Sequence, residues 1–140
     1  MKKASLYALS DEIEDELLSI SLIKYGKKVI CGTSEGPLVI FQWDWFGDFK
    51  DRLIGHPSSI FSIAKYDENN IFTACEDGFI RYVSISPNKI KHIVVDNFES
   101  EIPNNFENKK FKEVNCLSIG ECKLILCKFS KKISFCCFEY

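Results

Sequence analysis

Apolar residues along the chain fall in short runs rich in Ile, Val, Phe and Tyr, each bounded by Gly, Asn, Asp or Ser. No window carries a sustained apolar stripe at helical spacing, so the pattern predicts an all-β chain. Strands are expected over 4–9, 17–24, 28–33, 38–43, 50–54, 60–66, 70–75, 79–85, 89–95, 112–119, 123–128 and 132–138. Residues Ser10 to Glu16 offer a short acidic helical turn as the alternative to extended chain. The polar stretch Asp96 to Lys110, with Pro103-Asn104-Asn105 inside it, reads as a long surface loop and requires no domain boundary.

A repeat is superimposed on this pattern. Lys24-Tyr25, Val29-Ile30-Cys31 and Ser34-Glu35-Gly36 recur as Lys65-Tyr66, Ile71-Phe72-Thr73 and Glu76-Asp77-Gly78. The offset is 41 residues at the Lys-Tyr pair and 42 at the glycine, which places one extra residue in the second hairpin loop. A weaker third copy sets Ile125-Leu126-Cys127 over Val29-Ile30-Cys31 and Ile133-Ser134-Phe135 over the strand after the turn, with the glycine lost at Ser130-Lys131-Lys132. The units run approximately 4–43, 50–85 and 89–138, a period of about 40 residues that marks a repeat architecture.

The order strand, strand, acidic-Gly turn, strand, outer strand resembles the WD repeat of β-propellers. Gly55-His56 stands at the Gly-His dipeptide, Thr73 at the hydroxyl of the second strand and Asp77-Gly78 at the tight turn. The resemblance implies a structural network of His56, Thr73 and Asp77 joined by a tryptophan, with Asp77 as the natural partner of a buried His56 ring. The tryptophan position of the second copy is Ile85, and the first copy has Trp43-Asp44 but Cys31, Glu35 and no Gly-His. Trp43 is expected in the core, and His56 in a structural rather than a catalytic role.

A narrower resemblance is carried by Gly26-Lys27-Lys28-Val29, Cys31-Gly32, Ser34-Glu35-Gly36, Trp43, Phe46-Gly47, Asp51-Arg52, Asp77-Gly78, Ile80-Arg81 and Pro87-Asn88. These residues are similar to the late repeats of the WD repeat-containing protein 55 family. The resemblance implies a nuclear, mainly nucleolar scaffold that supports ribosomal RNA production and ribosome biogenesis, with pre-ribosomal assembly factors as partners. It also implies a carboxy-terminal half, since family members are about twice this length. The chain departs from the family in the acidic segment 11–16, the insertion around 96–110 and the eroded third copy.

Three blades' worth of strands fall short of the roughly 4–8 that close a propeller. Two chains arranged head to tail would supply about six blades, with 4–9 of each chain completing the last blade of the other and removing exposed sheet edges. This homodimer is one expectation; open half-propellers and contacts with an absent amino-terminal half are the others.

Composition narrows the chemistry. A chain of 140 residues, 46% hydrophobic and 27% charged, hides enough surface to fold without disulfides or a structural metal. Seven cysteines, an odd number that includes adjacent Cys136-Cys137, suggest a reducing compartment. Cys116, Cys122 and Cys127 lack both a CxxC pair and a nearby histidine, so free thiols are expected, with no metal and no cofactor. A net charge of −2 argues against a whole-domain nucleic-acid binder. RNA contact through Lys27-Lys28, Lys109-Lys110 and Lys131-Lys132 would be auxiliary and salt-sensitive. The apolar runs are far too short for a membrane helix and no signal-peptide core follows Met1, so a soluble intracellular protein is expected.

No nucleophile elbow, P-loop or His-Glu-x-x-His is present, and no catalytic residues are assigned. Trp45 and Phe46 are candidate anchors for a protein partner, with packing between neighbouring blades as the alternative. Arg52 and Arg81 could hold an acidic peptide or phosphate, or brace a turn through Asp48, Asp51 or Glu76. Trp43-Asp44-Trp45-Phe46 lacks the arginine of the Trp-Asp-x-Arg motif of ubiquitin-ligase adaptors. The function that the family resemblance implies is a non-catalytic scaffold of ribosome biogenesis; a chromatin, signalling or ubiquitin-ligase adaptor is the alternative.

Overall fold

The structure is a computed structural model that describes residues 4–94, 114–119, 124–129 and 132–137. Of the last two strands and of residues 114–116 only the backbone is described. The first sheet comprises β1 (Leu17–Ile23), β2 (Lys28–Thr33), β3 (Leu38–Gln42) and β4 (Asp51–Leu53). The second comprises β5 (Ile60–Lys65), β6 (Asn70–Cys75), β7 (Ile80–Ile85) and β8 (Asn88–Val94). The third comprises β9 (Val114–Ile119), β10 (Leu124–Phe129) and β11 (Lys132–Cys137). Strands pair antiparallel in chain order, and the described residues form no helix.

Each sheet is offset by one strand from the sequence unit. The short strand at Asp51–Leu53, which opens the unit 50–85, closes the first sheet; Asn88–Val94 closes the second in the same way. Two expectations fail at the amino-terminal end. Residues 4–9 form no strand, and Ser10 to Glu16 form no helical turn. The segment instead crosses the end of the first sheet, with Asp11 N donating to Gly47 O at 2.8 Å and Ser34 N donating to Glu16 O at 3.0 Å. Those bonds use backbone groups that a ladder or a helical turn would need, and five carboxylates in six residues oppose a compact turn. The predicted loop 96–110 lies outside the described residues.

Alternation with period two gives each strand of the middle sheet two apolar faces. One face puts Ile60, Ile71, Val83 and Ile85 against Ile23, Ile30, Leu38 and Ile40 of the first sheet. The other puts Ala64, Phe72 and Tyr82 against Leu117 of β9. Tyr66 stands edge-on to Phe72 and Tyr82, at centroid distances of 5.6 and 5.7 Å. The remaining face of the first sheet, Val29, Cys31, Val39 and Phe41, is covered by Ile13, Phe46 and Phe49.

One inter-sheet step is used twice. β5 lies against β1 and β2, and β9 lies against β5 and β6. Ser19 Oγ donates to Ile60 O at 3.0 Å, and Leu117 N donates to Ser62 Oγ at 3.1 Å. Both serines follow a bulge, between Leu17 and Ser19 in β1 and between Ile60 and Ser62 in β5. Successive turns are also tied together: Ser59 Oγ lies 2.9 Å from Ser34 O, and Ser59 O accepts Glu76 N at 3.0 Å. At the opposite end Lys24 N donates to Glu68 O at 3.2 Å. The result is the radial repetition of a β-propeller.

Gly36 sits in the β2–β3 turn with φ +102°, and a Cβ there would lie 2.6 Å from His56 O and 3.1 Å from Ser58 O. Gly26 also has positive φ, +77°, but faces open space. Gly36→Ala should therefore lower stability by about 1–3 kcal/mol in urea unfolding, clearly more than Gly26→Ala. Equal losses would mean that the backbone approach between the first two sheets contributes nothing.

Candidate protein-interaction site

The turn Glu76-Asp77-Gly78 is closed by Gly78 N donating to Cys75 O at 3.1 Å, with Gly78 at φ +84°. Next to it, Thr73 of β6 pairs in register with Arg81 of β7. His56, in the crossing between β4 and β5, is buried, and its Nε2 lies 2.9 Å from Thr73 Oγ1. Nδ1 is buried with no hydrogen-bond partner, and a buried N–H without an acceptor costs more than a bare ring nitrogen, which favours the proton on Nε2 and donation to Thr73 Oγ1. Burial, reinforced by the Arg81 guanidinium and opposed by Asp77, lowers the His56 pKa to about 4.

The expected His56–Asp77 pair is absent. Asp77 is held bidentately by Arg81, Nη1 to Oδ1 at 3.1 Å and Nη2 to Oδ2 at 2.5 Å. The Arg81 side chain is only 8% exposed, and a buried guanidinium needs a counter-charge far more than a neutral imidazole does. Arg81 therefore braces the turn through Asp77 rather than Asp48, Asp51 or Glu76, and is not available as a partner-binding residue.

Trp43 also departs from expectation. It lies beyond the end of β3 and is 43% exposed, outside the network of His56 and Thr73. Asp44, with φ +68°, and the bridge between Gln42 and Trp45 turn the chain outward there. At the corresponding place in the second sheet, Ile85 is buried in the core. The first sheet pairs Cys31 with Val39 where the second pairs Thr73 with Arg81, and Ile13 packs on the apolar cluster that contains this pair.

Beyond β3, Phe46 and Phe49 turn inward onto Val29, Cys31, Val39 and Phe41, while Trp45 is 71% exposed. Phe46 is thus mainly a packing residue, and Trp45 is the available anchor. Trp43 stacks on Tyr7, with centroids 6.5 Å apart, and meets Phe46 edge-on at 5.3 Å. Tyr7 OH donates to Asp44 Oδ1 at 2.9 Å, which raises its phenol pKa. Arg52 Nη2 lies 3.3 Å from Asp15 Oδ2, at the edge of the same surface. Tyr7 and Asp15 carry no local sequence signal for these roles, because each partner is 37 residues away.

Cys31 and Cys75 are buried free thiols, pushed up by burial to about 11 and about 12, the reverse of an activated nucleophile. Among the described residues no group of three or more His, Cys, Asp or Glu is placed to hold a metal, and no helix is long and apolar enough to cross a membrane. The side chains of Cys116, Cys122 and Cys127 lie outside the described residues.

No family model matches the chain. It is 40% identical over 91 residues to WD repeat-containing protein 55 of Arabidopsis thaliana, covering 64% of this chain and 26% of the relative. It is 41% identical over 120 residues to WD repeat-containing protein JIP5 of Malassezia globosa, covering 83% of this chain and 28% of the relative. The chain belongs to the WD repeat-containing protein 55 family. The chain spans about a quarter of the length of these relatives, consistent with a partial carboxy-terminal region of the WD repeat-containing protein 55 type. Among solved structures, it matches the Myceliophteria thermophila Cps50 (Swd1) beta-propeller domain with a TM-score of 0.61 at 13% identity, covering 83% of this chain and 32% of that one. It matches a chain of the mitotic checkpoint complex with a TM-score of 0.66 at 10% identity, covering 89% of this chain and 36% of that one. These likenesses establish the WD-repeat propeller fold.

His56→Ala should cost about 1–3 kcal/mol by removing a buried ring together with its hydrogen bond to Thr73 Oγ1. The unfolded imidazole takes up a proton near its ordinary value of 6.5, whereas the native one resists until about 4. His56 therefore makes wild-type stability fall on acidification from 6.5 toward 4, and the difference from His56→Gln should shrink over that window. A wild-type advantage that grows on acidification, in chemical unfolding at each pH, would refute the neutral buried ring.

Proposed function

We propose that the chain is part of a non-catalytic WD-repeat scaffold that holds protein partners during nucleolar ribosome biogenesis and rRNA production. The observation that carries the scaffold reading is the outward-turned segment 43–52, which leaves Trp45 exposed on a rigid propeller sheet. Family membership supports the nucleolar assignment by resemblance, and burial of the Cys31 and Cys75 thiols argues against these two serving as nucleophiles. Tagged protein from nuclear extract should recover pre-ribosomal assembly factors and concentrate in the nucleolus, and Trp45→Ala should lose that capture while keeping its thermal transition. Recovery of histones, signalling proteins or ubiquitin-ligase subunits in their place would favour the general adaptor reading.

A second copy of the chain is also a proposed partner. Leu17, Ile20 and Leu22 of β1 are 45%, 68% and 48% exposed. The positions matching Leu17 and Ile20 in β5 are Ile60 and Ile63, which pack onto the first sheet. Repeating that step between chains would seat β1 of one copy on the third sheet of another, without exchange of residues 4–9. Light scattering should then give about twice 16.1 kDa, with Ile20→Glu reverting to monomer. A wild-type monomer across the concentration series excludes this pairing.

A further inference from the structure

The segment 7–15 and the β3–β4 connection together make a surface whose composition differs sharply from the rest of the chain. Residues 11–16 and 43–52 contain eight carboxylates and two cations, while the whole chain has a net charge of only −2. Both cations are engaged within the surface, Arg52 with Asp15 at 3.3 Å and Lys50 Nζ with Gln42 Oε1 at 2.9 Å. Set among these carboxylates are the exposed Tyr7, Trp43 and Trp45, the first two stacked and the first fixed to Asp44 by its hydroxyl. The surface is held together by Asp11 N donating to Gly47 O at 2.8 Å and by Phe46 and Ile13 packing on one buried cluster.

Aromatic faces ringed by carboxylates attract cations through two additive effects. The ring quadrupole draws an ammonium or guanidinium onto its face, and nearby carboxylates raise the local concentration of positive charge. A guanidinium gains most, because it can stack flat on an indole while its edge donates in pairs to a carboxylate. Nucleic acid and anionic lipid are repelled by the same charges.

We infer that this Tyr7–Trp43–Trp45 surface docks a basic, arginine-bearing polypeptide segment. The inference deepens the scaffold reading and rests on it for the existence of a protein partner. It assigns the partner's chemistry and commits the acidic segment 11–16 to recognition.

Trp43 and Trp45 are the only two tryptophans in the chain, so intrinsic fluorescence reports on this surface directly. Titrating the full chain with a short alternating arginine–glycine peptide should give a saturable change in emission at low salt, weakened at least about tenfold at high salt. A matched glutamate–glycine peptide should leave the emission unchanged. Trp45→Ala, read through Trp43, should weaken the arginine peptide by about tenfold with the thermal transition retained. Asp48→Asn combined with Glu14→Gln, both at exposed positions, should weaken it without any change to an aromatic ring. Equal responses to the two peptides, or unaltered affinity in both variants, would overturn the inference. If peptide binding fails while assembly factors are still captured from extract, the docking surface is wrong and the scaffold reading stands. If the peptide binds but capture fails, the surface stands and the ribosome-assembly assignment falls.

Discussion

The packing of the first sheet against the second is the contact on which the rest of the structure depends. Both are made of hairpins with apolar side chains at alternate positions, and a sheet with two apolar faces is stable only when both are covered. Ile30, Leu38 and Ile40 meet Ile60, Ile71 and Val83, all buried. Each such side chain contributes about 1.5–3 kcal/mol when removed from water, against about 0.5–1.5 kcal/mol for a typical hydrogen bond such as His56 to Thr73. Packing therefore sets the angle between sheets, and the polar groups select among arrangements that packing already permits.

That ordering explains how one lattice position can have two chemistries. Thr73 and Arg81 sit opposite each other in the second sheet and support a buried imidazole and a bidentate ion pair. Cys31 and Val39 sit at the same place in the first sheet and support Ile13. Neither arrangement strands a charge in the interior. A mixture of the two would leave a buried guanidinium without its carboxylate, which costs far more than either complete set.

The fold was legible in the sequence because its determinants are local: strand alternation, acidic-Gly turns and a period near 40 residues all lie within a few positions of one another. Strand existence followed from these, and so did the turn at Asp77-Gly78. The side-chain pairings were less legible. Asp77 was read as the partner of His56, and the burial of the Arg81 guanidinium gives it to Arg81 instead. Trp43 had the composition of a core residue, but β3 ends one position before it and Asp44 redirects the chain. Tyr7 read as the middle of a strand because it lies in the short apolar run Leu6-Tyr7-Ala8-Leu9, whereas its place is fixed by Trp43 and Asp44 from a distant loop. Residues whose role comes from long-range contacts leave no periodic trace.

The serines that follow the bulges of β1 and β5 carry a consequence for how such repeats diverge. Ser19 bonds to a backbone carbonyl and Ser62 to a backbone amide of the next inner strand. A joint of that kind places no demand on the identity of the neighbouring side chain. Each sheet is free to accumulate its own interior chemistry, as the first two have done, without losing its seat against the next. Divergence among the units is therefore cheap inside a sheet and restricted at its bulges and crossing segments, where backbone meets backbone.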